Sequence, residues 1–127
     1  MSTMESVRAA LVTAGVIDGT NWAGYIGYMP DDQDQVIGIV PTGGFPQDTH
    51  GGENGHPTFQ ITVRAGRNEY ATARTKWIEM YHALHDADLS AYSIWLIQAY
   101  ATDPIHMLDG KNRHNFVSNF RVVRAAE

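Results

Sequence analysis

Hydrophobic and polar positions follow two different periods along the chain, and the switches between them mark out its elements. At the front, Met4, Val7, Leu11 and Ala14 recur at helical spacing. Ser2 and Glu5 have the S-x-x-E spacing of a capping box and Gly15 supplies a stop, so residues 2–14 predict an amphipathic helix. WAGYIGYMP (22–30) is aromatic and ends in proline. It reads as a strand in which Gly24 and Gly27 mark bulges or points of close backbone approach. DDQDQ (31–35) is a polar turn and VIGIV (36–40) a second strand, which together predict a hairpin.

Beyond a long Gly- and Pro-rich stretch, TFQITVRA alternates cleanly. Phe59, Ile61, Val63 and Ala65 share one face, and Thr58, Gln60, Thr62 and Arg64 share the other, as in a half-buried antiparallel strand. The period then changes. Tyr70, Ala73, Trp77, Met80 or Tyr81, and Leu84 form a helical stripe, with Arg74, Lys76 and Glu79 off it and Asn68 placed to cap a helix beginning at Glu69. YSIWLIQAYA (92–101) is a mostly apolar strand. PIHMLD and HNFVSNFRVVR, either side of a DGKN turn, form a closing hairpin whose last strand sets Phe116, Ser118, Phe120 and Val122 on one face. The order α-β-β-β-α-β-β-β predicts an α+β fold: a mostly antiparallel, twisted sheet of about six strands with two helices on one face. The length fits one domain over residues 1–127, with a long loop at 41–57.

Composition narrows the function more than the fold. The formal charge of −5 disfavours general nucleic-acid binding, which depends on Lys and Arg neutralising phosphates. The absence of cysteine removes disulfides, thiolate metal sites and cysteine nucleophiles together. No apolar run approaches the roughly 18–20 residues of a membrane span, and the N-terminal stretch lacks the basic start of a signal peptide.

The remaining chemistry concentrates in VPTGGFPQDTHGGENGHP (40–57). Its glycines lead into a strand and lack the Lys-Ser/Thr pair of a phosphate-binding loop, so turn chemistry explains them better. Asp48, His50, Glu53 and His56 are ligand types for zinc or iron, but a Gly-rich loop offers no rigid frame to hold them. His82 and His85, with Asp86 and Asp88, read as a solvated helix end suited to the macrodipole. No serine lies in a G-x-S-x-G context. The sequence therefore predicts no catalytic residues, no metal and no cofactor.

A resemblance does emerge from the order of the motifs. It runs through an N-terminal helix, YIGYMPDDQDQ, VIGIVPTGGFP, PTFQITVRAG, NEYATARTKWIEMYHALHD and FVSNFRVVR. Taken in that order, the chain resembles the small minor capsid or tail-terminator proteins of long-tailed bacteriophages. The resemblance implies a non-enzymatic virion part, assembled in the host cytoplasm, that forms a ring, typically hexameric. Such a ring caps the tail tube and joins it to the head-completion or neck protein, and DNA passes through its channel without sequence-specific binding. It further implies that loops reach neighbouring subunits or the adjoining ring, which assigns the contact loop to Thr42, Gly43, Gly44, Phe45, Asp48, His50, Glu53 and His56. A tail-tube or neck protein is the second reading. A small metal-dependent enzyme using His50, Glu53 and His56 is a third, from a different class.

Overall fold

The structure is a computed structural model that describes residues 2–45 and 54–125. Two helices, α1 (Thr3–Thr13) and α2 (Tyr70–Leu84), accompany six strands: β1 (Ala23–Ile26), β2 (Val36–Phe45), β3 (Asn54–Ala65), β4 (Ile94–Ala99), β5 (Ile105–Leu108) and β6 (His114–Ala125). The strands form a single sheet ordered β1-β2-β3-β6-β4, and β5 also pairs with β6. β4 lies against the C-terminal half of β6 and β5 against its N-terminal half, so the two short strands follow one another along one sheet edge. The expected α+β architecture and element order are present.

The capping box closes as its spacing predicts: the Glu5 N–H donates to Ser2 Oγ and the Ser2 N–H to Glu5 Oε1. One face of the sheet carries the core. Phe59, Ile61, Val63 and Ala65 of β3 and Phe116, Phe120 and Val122 of β6 are buried there, beneath Ala73, Trp77, Met80 and Leu84 of α2. Phe59 and Phe120, directly paired across the β3–β6 ladder, stack at 5.2 Å with planes 4° apart. Ser118 is the polar residue in this apolar row, and it accepts a 2.5 Å hydrogen bond from Trp77 Nε1, so neither group is buried unpaired.

Four expectations change. Asn68 does not cap α2; Glu69 occupies the N-cap without a side-chain hydrogen bond to the helix. Lys76 lies off the apolar stripe yet is buried, because the 16–22 segment folds over it. Its Nζ donates to Val16 O (3.3 Å) and to Glu79 (2.9 Å). β1 and β2 pair in parallel, from Ala23↔Val36 to Ile26↔Ile39, and do not form a hairpin. Finally, β2 and β3 run further than the alternation suggested. Their ladder continues through Gly43↔Thr58 to Phe45↔His56 past an irregularity between Pro41 and Gly43, so the predicted loop at 41–57 is a β-arm at both of its described ends.

Candidate assembly surface

The helix-free face begins with the reason β1 and β2 are parallel. The chain between them, residues 27–35, is held against this face by two arginines that project from the sheet. Arg64 on β3 donates to the carbonyls of Pro30, Gln33 (2.5 Å) and Asp34 (3.4 Å). Arg113, which leads into β6, donates to Asp31 O (2.9 Å), Gln33 O (3.3 Å) and the Asp31 carboxylate (2.7 Å). Both guanidiniums are buried, and their rigid fork of five donors is what lets each satisfy several acceptors at once. A carbonyl-rich segment is thereby drawn across the sheet, and the chain re-enters β2 running in the direction of β1.

Asp109 completes the clamp. It binds Arg113 Nε at 2.8 Å and also accepts from the backbone N–H groups of Lys111 (2.9 Å) and Arg113 (3.0 Å). Partial burial opposes its ionisation, but the N–H groups of Arg113 and Lys111 and the guanidinium outweigh that and lower its pKa to about 2. The Asp31 carboxyl is likewise held below its ordinary range by hydrogen bonds from Lys111 and Arg113. Burial lowers the pKa of Arg64, and the neighbouring Arg113 charge adds to the effect.

Beyond the clamp the face is open. Gln60 and Thr62 of β3 and Asn115 and Val117 of β6 floor a groove of about 420 Å³, walled on its outer side by Ile105 and Met107. Ile105 pairs with Val117 and Met107 with Asn115, which places both apolar side chains on the helix-free face. All four residues of β5 are exposed, and Ile105, Met107 and Leu108 are each more than half accessible. Trp95 and Tyr100, both 56% exposed, extend this apolar margin along the same edge. Single exposed apolar residues are ordinary, but several on one sheet edge are what assembly surfaces present. The opposite edge differs, since Arg8 of α1 reaches over β1 and donates to Gly24 O at 2.9 Å.

A larger hollow of about 590 Å³, between the 18–22 turn and α2, is shallow and polar. Its lysine, Lys76, is already engaged by Val16 O and Glu79.

The residues assigned to the contact loop are partly placed. Thr42, Gly43, Gly44 and Phe45 end β2, and His56 lies opposite Phe45 in β3. Thr42 Oγ1 and Thr58 Oγ1 are hydrogen-bonded at 2.7 Å across the arm. Asp48, His50 and Glu53 lie outside the described residues, so the grouping of His50, Glu53 and His56 has no described geometry. Among the described residues no cluster of three or more His, Asp or Glu is arranged to hold a metal. His85 of the other histidine pair has its Nδ1 occupied by the Ala99 N–H at 3.1 Å, which ties the end of α2 to β4. The clamp and the β5 part of the apolar edge were not singled out from the sequence. The signal for the clamp was one arginine at a strand position and another just before a strand, with an acidic, proline-led segment elsewhere in the chain.

No helix among the described residues is long and apolar enough to cross a membrane. Comparison with known proteins agrees with the motif order. A family model described as bacteriophage tail terminator protein matches residues 7–123. A chain of the virion of a native gene transfer agent particle has the same fold, with a TM-score of 0.70 and 15% identity, covering 98% of this chain and 96% of that one. No curated protein sequence matches the chain. With its family model spanning nearly the whole sequence, the chain belongs to the bacteriophage tail terminator family, as a structural protein of the virion tail.

Proposed function

We propose that this protein self-associates into a ring, hexameric in the simplest case, that caps the finished tail tube and joins it to the head-completion or neck protein. The observation that carries this reading is the β4–β5 edge with its exposed apolar side chains Trp95, Tyr100, Ile105 and Met107, in a chain of the tail terminator family. A closed ring uses a heterologous contact, in which one patch of each copy meets a different patch of the next. The exposed apolar side chains of the β4–β5 edge supply one such patch. The second is the β2–β3 arm on the far side of the sheet, with Thr42, Gly43, Gly44, Phe45 and His56 and the intervening Asp48, His50 and Glu53. Its outer strand edge is unpaired by β1 beyond Ile39. A net charge of −5 suits a conduit, because an acidic wall repels DNA phosphates and lets the genome pass without sticking.

The reading makes the protein a structural part with no reaction to catalyse. Its test is tail assembly with an Ile105→Lys, Met107→Lys double variant. These side chains are exposed in the isolated subunit, so the variant is expected to fold with an unchanged circular dichroism spectrum while failing to terminate tails. A variant that terminates tails of normal length would remove the β4–β5 edge from the assembly contact.

A further inference from the structure

We propose that His106 and His114 form an acid-sensitive clasp that fastens the edge strand β5 to the rest of the sheet. His106 Nε2 and His114 Nδ1 lie 2.9 Å apart with the rings stacked at 5.2 Å, and His114 Nε2 lies 2.9 Å from the carbonyl oxygen of Arg67. A carbonyl can only accept, so His114 Nε2 carries a proton and donates it. In neutral His114 the Nδ1 atom is then the acceptor, and His106 Nε2–H must be the donor. A proton added to the remaining nitrogen of His106 leaves this arrangement intact. A further proton has only His114 Nδ1 to occupy, where it points directly at the His106 N–H. The clasp thus tolerates one charge and is broken by two.

Among the described residues no carboxylate is paired with either ring to offset a second charge. From α2, Tyr70 sets its ring edge-on against His106 at 5.3 Å and His114 at 5.5 Å. From β6, Phe116 packs against His106 at 5.0 Å. Arg67 contributes its carbonyl, and one turn along α2, Arg74 is paired with Asp103 of the segment leading into β5 at 3.2 Å. Arg113, next to His114 in the chain, is turned to the helix-free face and engaged with Asp109 and Asp31. Apart from this clasp and its four-residue ladder, β5 has little to hold it, since every one of its side chains is exposed. Imidazoles take up protons over roughly pH 5–8. Acidification through that range therefore loosens β5, and with it the apolar row at Ile105 and Met107, while the three central strands stay intact.

Hydrogen exchange on the full chain tests this, with rates corrected for intrinsic pH dependence. Between about pH 7.5 and 5.5 the amides of residues 105–108 should lose protection by about three- to tenfold, the equilibrium worth of one net hydrogen bond. Those of Ile37, Ile39 and Ile61 should not change. In a His106→Gln variant the side-chain amide can flip to offer its oxygen to a charged His114, so the pH dependence should disappear. At neutral pH, nitrogen-15 spectra should show His114 with its proton on Nε2. An Nδ1–H tautomer, unchanged β5 protection in the wild type, or equal loss of protection in the central strands would each overturn the proposal.

Discussion

At the scale of single residues, Arg113 bears the greatest structural demand. Its side chain is 5% exposed yet holds a full charge, which is tolerable only because Asp109, Asp31 and two carbonyls occupy its donors. Removing one partner of such a group leaves the others desolvated and unmatched. Arg113→Gln is therefore expected to lower unfolding free energy by about 2–4 kcal/mol in chemical denaturation, the range for losing charged hydrogen bonds with their partners left in place. Arg113→Lys should recover little of this, because a single ammonium cannot span the same acceptors. The clamp also has a pH signature. The Asp109 carboxyl titrates near 2 in the folded protein, against 3.8 ordinarily, so its contribution is complete above about pH 4 and is lost as pH falls toward 2. Thermal unfolding at a series of pH values should show that loss in the wild type and a flatter acid limb in Arg113→Gln. This acid limb lies well below the imidazole range, so it is separable from any effect of the His106–His114 pair.

At the scale of elements, the β3–β6 ladder is the centre of the core, and its residues were readable in advance. Strict alternation over Thr58–Ala65 and Phe116–Val122 assigned each side chain to the face it occupies, because a half-buried strand permits only one register. Phe120→Ala, which deletes one of two stacked rings with no exposure, should cost about 3–5 kcal/mol by denaturant titration. The parallel β1–β2 pairing was not readable. Its cause is tertiary: Arg64 and Arg113 lie far along the chain from the segment they bind, and no local period records such a contact. The β-arm escaped for the opposite reason. Gly43 and Gly44 look like turn residues, yet here they bend a strand that continues pairing. Gly44 has φ of 124°, and a Cβ there would stand 2.1 Å from His56 O, so only glycine fits. Gly44→Ala is expected to unzip the arm's outer ladder and to raise amide exchange in residues 54–58. Exchange at Ile61 and Val63, further down the same strand, should be unaltered.

At the scale of the whole molecule, two helices are enough to cover one face of the sheet and leave the other partly bare. The motif order in the sequence pointed to the tail terminator family, and the family model agrees over residues 7–123. What the pattern did not disclose was which surface remains for assembly. The apolar run of β4 left open whether it is buried on both faces or half-covered by a partner, because hydrophobicity alone does not say whether a strand is covered by its own chain or by another. Trp95, Tyr100, Ile105 and Met107 are large, exposed and carried on one sheet edge, and their placement is intelligible once that edge is given to a neighbour.

The most direct measurement is elongation of tail tubes from purified tube protein, followed by electron microscopy, with this protein added at a fixed time. The account predicts that growth stops on addition and that each tube carries a single terminal ring of this protein. Continued elongation with tube ends left bare, or incorporation of the protein along the length of the tube, would contradict it.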